Sequence, residues 1–148
     1  MVPEFTTDTF RRFVEELSPF CSMLGMRLVS LEKNFASIMI PFKEELIGDI
    51  QRPAIHGGVI ASLLDTVGGA AAATTLTSFE ERLSTVDLRT DFLLPGGKKD
   101  IIADAVITRS GNLLVVAKMT AYQDNRNNII AEGTGVYNVR RNKQSLHG

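Results

Sequence analysis

Hydrophobic and polar positions along this chain recur with two periods, and each predicts its own elements. Behind Thr7-Asp8, a helix-starting pair, Phe10, Phe13, Val14 and Leu17 fall at helical spacing. Ser18-Pro19 ends that helix, and Cys21 to Gly25 fits a turn or a single helical turn. Residues 26–32 and 35–42 alternate on either side of Lys33-Asn34, the pattern of a β-hairpin. Residues 43–55, with Gly48 and Pro53, read as a loop. From about 57 to 77 the helical period returns. Val59, Ile60, Leu63, Leu64 and Val67 fill one side, and Ala70 to Ala73 extend around it. A helix apolar on all sides is expected to be buried on all sides. Gly68-Gly69 within it would cost roughly 1 kcal/mol each against alanine, which implies close approach of another backbone, with helix–helix packing the preferred reading. Runs at 85–94, 100–109, 113–123 and 129–140 then alternate with period two. Pro95-Gly96-Gly97, Ser110-Gly111-Asn112 and Asp124 to Asn128 separate them, and such short turns predict an antiparallel meander. Helix, hairpin, buried helix and meander make an α+β chain whose one sheet, of five to six strands, must curl around its one long helix.

Composition narrows the picture. A chain of 148 residues fits a single domain, 1–148, with a helical N-terminal segment over 1–20 and a loose tail over 142–148. A formal net charge of -1 gives no electrostatic footprint for nucleic acid or a membrane surface. The lone Cys21 cannot close an internal disulfide, which suits a reducing compartment. Met1 to Phe20 is too polar for a secretory signal, so a cytoplasmic location is expected. The most apolar stretch, 55–76, is too broken by Ser62, Asp65 and Thr66 to read as a membrane span. His56, His147 and one cysteine make no metal cluster, and no Gly-x-Gly-x-x-Gly follows a strand. Neither metal nor cofactor is expected.

The chemistry concentrates at the start of the apolar helix. The first backbone N–H groups of a helix have no partner inside it, and glycines at 57 and 58 leave them open. With the positive end of the helix dipole beside them, they can hold a carbonyl oxygen that turns negative during acyl transfer. Asp65 is an ionisable group in apolar surroundings, to be satisfied, neutralised or used. It follows Gly58 by seven residues, on nearly the same face but roughly 10 Å along the axis. An attacking group must come within about 3–3.5 Å of its carbon. Asp65 is therefore expected to serve the helix mouth of a second copy, in a composite site of at least a two-fold dimer. Without the glycine pair, a carboxylate bonded to backbone, Ser62 or Thr66 would be the simpler reading. His56 either fixes the loop or touches the substrate oxygen. Lys98, Lys99, Arg109 and Arg126 read first as solvated turn residues.

His56-Gly57-Gly58 followed by Asp65 resembles the hotdog thioesterases of the phenylacetate-pathway, or PaaI-like, type. So do residues 85–95, Arg109 to Asn112, and the final run 130–135; together the resemblance spans roughly 20–140. It implies a hotdog fold and hydrolysis of an acyl-coenzyme A (CoA) thioester to free acid and CoA. Carried over, Asp65 attacks or activates water, the Gly57 N–H polarises the carbonyl with Gly58 as its neighbour, and Thr85 assists water. Arg109, Gly111 and Asn112 would meet the nucleotide end of CoA. On the chain's own pattern, Leu63, Leu64, Val67 and the flanking loop are expected to line a pocket for an aromatic or medium aliphatic acyl group. The resemblance also implies a homodimer or homotetramer. The family pattern has an asparagine about six residues before the histidine; here Ile50 stands there, and the adjacent Gln51 is the expected substitute. A non-catalytic acyl-CoA binder on the same fold is the alternative. A hydratase is disfavoured because no histidine–acid pair is visible.

Overall fold

The structure, a computed structural model, describes residues 6–78 and 80–141. The expected tail over 142–148, with His147, and the first five residues of the N-terminal segment lie outside them.

The chain begins with α1 (Thr7–Arg12), a π-helical turn (Phe13–Leu17) and α2 (Pro19–Leu24). Thr6, one residue before the expected Thr7-Asp8 start, caps α1 by accepting from the Thr9 N–H. The regular helix stops at Arg12, and Ser18 N–H reaches back to Phe13 O at 2.9 Å. Of the apolar residues that define the expected helix, Val14 is wholly buried, whereas Phe13 and Leu17 stand half in water or more. Then come β1 (Arg27–Glu32) and β2 (Phe35–Ile40), the expected hairpin, with Asn34 in the left-handed region at φ 65°. The stretch read as loop holds a short 3-10 turn (Glu44–Leu46), β3 (Ile47–Asp49) and β4 (Ala54–Ile55).

The long helix is α3 (Gly57–Ala73). It ends four residues earlier than the periodicity suggests, because the Thr74 and Thr75 hydroxyls bond back to Ala71 O and Ala72 O at 2.6 and 2.7 Å. These bonds satisfy carbonyls that a further turn would use. The remaining strands are β5 (Arg82–Phe92), β6 (Ile101–Ser110), β7 (Leu114–Tyr122) and β8 (Ile129–Arg140). They join β1 and β2 in one antiparallel sheet of order β1-β2-β6-β7-β8-β5, which packs on α3 in the hotdog arrangement.

Two expectations need correction. Only β6, β7 and β8 form a meander; β5 skips its sequence neighbour and pairs with β8 at the far edge. The β5–β6 connection is a built crossover rather than a tight turn. Ile55 N–H donates to Gly96 O at 2.9 Å, and the buried Gln123 amide bonds both Gly97 and Lys99. Nor is α3 buried on all sides. Gly58, Ala61, Ser62, Asp65, Thr66 and Gly69 keep exposed surface along one stripe, while Ile60, Leu63, Leu64 and Val67 sit in the core.

Candidate active site

Asp65 projects from the exposed stripe of α3 toward the β5 edge of the sheet. Thr85 Oγ1 donates to Asp65 Oδ1 at 2.9 Å. Tyr137 hydroxyl donates to the Asp65 backbone oxygen at 2.8 Å and lies 3.4 Å from Oδ1. Thr85 and Tyr137 are direct cross-strand partners on β5 and β8, and the register shifts between Thr85 and Asp87. Such a bulge re-aims side chains beside it. Here it leaves Thr85 beside Tyr137, with both hydroxyls on one carboxylate oxygen. Oδ2 has no partner among the described residues. Ser62 and Thr66 do not satisfy Asp65; their hydroxyls bond back to the carbonyls of Gly58 and Ser62 at 2.7 and 2.8 Å.

Tyr137 was not singled out by the sequence. It is 1% exposed, its pKa pushed well above the ordinary phenol range by burial first, then by the Asp65 charge and the hydrogen bond to it, against a lowering contact from the Gly69 N–H. Its ring explains the glycines. A Cβ on Gly68 would collide with the Tyr137 hydroxyl and come within 3.1 Å of Met119 Sδ, and a Cβ on Gly135 would come within 2.7 Å of the same ring. Within the chain, the close approach inferred at 68–69 is found at Gly68, where the Tyr137 side chain makes it; Gly69 meets only ordinary contacts.

At the helix mouth, His56 is the N-cap: its Nδ1 accepts the Gly58 N–H at 2.8 Å. The Gly58 N–H is thereby taken, while the Gly57 N–H meets no acceptor among the described residues. Gly57 opens into a cleft of about 350 Å³ walled by Ile55, Ile60, Phe92 and the crossover Leu93 to Gly96. Asp65 instead lines a larger cleft of about 570 Å³, with Thr85, Tyr137, Leu83, Phe10 and Phe13 among its walls. One chain therefore holds the acid and the open N–H in separate places.

Other expected site residues fall elsewhere. Leu64 is fully buried, packed toward Gly133, and lines neither cleft. Ile50 and Gln51 lie in an exposed turn held by Asp49, whose carboxylate accepts from the Gln51 and Arg52 N–H groups at 3.0 and 3.2 Å. Those two bonds, Arg52 first, hold the Asp49 carboxyl below its ordinary pKa. Gln51 thus belongs to a turn on neither cleft. At the β6–β7 turn, Gly111 N–H donates to Leu114 O, and the Arg141 guanidinium bonds Gly111 O and Asn112 O at 3.4 and 3.1 Å. Arg141 also pairs with the buried Glu81 at 3.3 Å, and Arg109 is exposed. No helix among the described residues is long and apolar enough to cross a membrane.

A glycine-lined helix mouth, a single held carboxylate and a sheet wrapped on one helix define a class, and comparison with known proteins agrees. Residues 53–130 match the thioesterase superfamily. The medium/long-chain acyl-CoA thioesterase YigI of Escherichia coli strain K12 is 34% identical over 133 residues, covering 82% of this chain and 85% of YigI. A solved structure from Shewanella oneidensis, related to the thioesterase superfamily, is 30% identical with a TM-score of 0.80, over 90% of this chain and 94% of that one. A thioesterase family protein from Silicibacter pomeroyi is 26% identical with a TM-score of 0.78, over 88% and 96%. The chain belongs to the thioesterase superfamily, the class of enzymes that hydrolyse thioesters.

Proposed function

We propose that this chain is an acyl-CoA thioesterase, built as a two-fold dimer in which Asp65 of one copy works on a thioester held by the Gly57 N–H of the other. The observation that carries this reading is the separation of the two groups. They lie eight residues apart on one helix, about 12 Å at 1.5 Å per residue, and open into different clefts. Attack needs about 3–3.5 Å. An antiparallel pairing of two α3 helices along their stripe of small residues would bring each acid to the opposite mouth. The edge strand β5, with Val86 and Phe92 more than half exposed, supports such a pairing.

In this reading the Gly57 N–H, at the positive end of α3, polarises the thioester carbonyl and takes up the charge that develops on its oxygen. Asp65 attacks the carbonyl carbon or takes a proton from the water that does. The C–S bond breaks and CoA leaves as a thiolate that is protonated. On the nucleophilic route water then hydrolyses the acyl–Asp65 anhydride; on the general-base route the attacking water has already supplied the acid's second oxygen, so both routes end in free acid and CoA. Thr85 and Tyr137 hold the carboxylate, and Arg109, exposed near the end of β6, would meet CoA phosphates. Similarity to YigI supports medium- and long-chain acyl groups. The resemblance to PaaI-like enzymes puts phenylacetyl-CoA in the same panel.

The test is release of free thiol from a panel of acyl-CoA esters. Wild type should release it, and Asp65→Asn should lower kcat by roughly 10²–10⁴-fold. Binding of the esters with no thiol released would identify an acyl-CoA binder instead.

A further inference from the structure

The cleft beside Asp65 is much larger than the chemistry above uses. It runs along α3 from Asp65 past Gly69 and Ala70 to Leu76, just beyond the helix end. Glu81, just before β5, and Thr85, within it, both on the cleft wall, stand four residues apart, about 13 Å of extended chain. A volume of about 570 Å³ falls inside the roughly 300–1,000 Å³ of small-molecule sites.

Apart from the exposed Ser84 beside Thr85, the lining between those ends is apolar or already satisfied. The Thr9 hydroxyl pairs with Thr6, and the Ser18 hydroxyl accepts the Cys21 N–H. Phe10 and Phe13 form the wall facing α3, their ring centroids 5.9 Å apart and tilted by 44°. That wall is anchored. Arg11 donates to Leu28 O at 2.7 Å, Glu15 accepts the Leu28 N–H at 3.1 Å, and Val14 has no exposed surface. The helix widens to a π-turn at Phe13, a feature frequent at functional sites. Phe13 nevertheless remains 50% exposed, an apolar ring at the rim with room for a partner.

We infer that this cleft holds the substrate's aliphatic acyl chain, which lies between α3 and the N-terminal segment with Phe10 and Phe13 as its selecting wall. The inference rests on the acyl-CoA reading, and its test separates the two. Non-hydrolysable S-alkyl-CoA thioethers (ethyl, butyl, octyl, dodecyl) are titrated by calorimetry into the full chain, and turnover of the matching esters is measured in parallel. Affinity should rise by up to about fourfold per added methylene until the cleft is full. Phe13→Ala should reduce the octyl-to-ethyl affinity ratio by about three- to tenfold. Phe13→Trp should restore the ratio, and Val29→Ala, equally exposed but away from the cleft, should leave it unchanged. Affinity independent of chain length, or a ratio untouched by Phe13→Ala, overturns the acyl-chain site even where esters are turned over. Chain-dependent binding with no turnover supports the site and removes the thioesterase reading.

Discussion

At the residue scale, one carboxylate oxygen carries two hydroxyls, and the two differ in kind. Thr85 sits on the edge strand β5 and is singled out through the family resemblance, which expects a hydroxyl at the start of the strand after the long helix; β5 begins three residues earlier, at Arg82. Tyr137 is not singled out. Its alternation on β8 looks like that of any inward residue, and only the small residues that face it, Gly68 and Gly135, mark a slot cut for a ring. Tyr137→Phe removes one donor to Asp65 while keeping the ring. The expected result is a five- to tenfold lower kcat, from a hydrogen bond worth about 1 kcal/mol, with KM unchanged; an equal change in KM would show that Tyr137 acts on binding instead. Both tyrosines of the chain have raised pKa values: Tyr137 for the causes given above, and Tyr122 by burial first and then by the Asp104 charge. A phenol whose folded pKa lies above its unfolded value of 10.0 adds stability that is complete below pH 10. That contribution is lost as pH rises toward the folded value. Unfolding free energy should therefore fall above pH 10, less steeply in Tyr137→Phe, and ultraviolet titration of the folded chain at pH 10 should show little tyrosinate.

At the scale of elements, α3 carries two glycines that the sequence treats alike and the fold does not. A Cβ on Gly69 would meet only Tyr137 Cε1 at 3.6 Å and Leu83 Cδ2 at 4.0 Å, ordinary contact distances, whereas one on Gly68 would overlap the Tyr137 hydroxyl. Alanine gains about 1 kcal/mol of helix propensity at either place. Gly69→Ala should thus be neutral or stabilising by up to about 1 kcal/mol, while overpacking of about 1–3 kcal/mol makes Gly68→Ala destabilising. Urea unfolding of both decides it, and equal midpoints would mean that Tyr137 yields. The His56 cap offers a second check: His56→Ala should lower stability by about 0.5–2 kcal/mol, and His56→Asn, itself a good cap, should recover most of that. The order of elements was legible because their periods are clean. The place of β5 was not, because alternation says which face a residue takes but nothing about which strand lies alongside. That choice is made by the crossover, whose bonds from Ile55 and Gln123 to the backbone of residues 96–99 join positions far apart in the chain.

At the scale of the whole molecule, the question is whether the acid and the open N–H work within one copy or across two. Gly57 permits a clean removal of the N–H. It is the first residue of α3, where proline is well accommodated, and His56 before it has φ -57° and ψ 132°, a conformation compatible with a following proline. The tight neighbour is the Phe92 ring at 3.3 Å, the edge of an exposed side chain that can shift. Gly57→Pro should therefore fold yet lose about 10²–10³ in kcat, the usual effect of removing one oxyanion donor. Asp65→Asn should be comparably weak. If each site takes Asp65 from one copy and Gly57 from the other, a mixed dimer of the two variants has one site with both defects and one with neither. Unfolding the variants together and refolding them at equal concentration makes about half the dimers mixed, so about a quarter of wild-type activity should return. Recovery requires exchange between copies, since neither variant alone contains an intact pair. If the refolded mixture stays as inactive as its parts while sedimenting as a dimer, the site lies within a single chain and the crossed geometry is wrong.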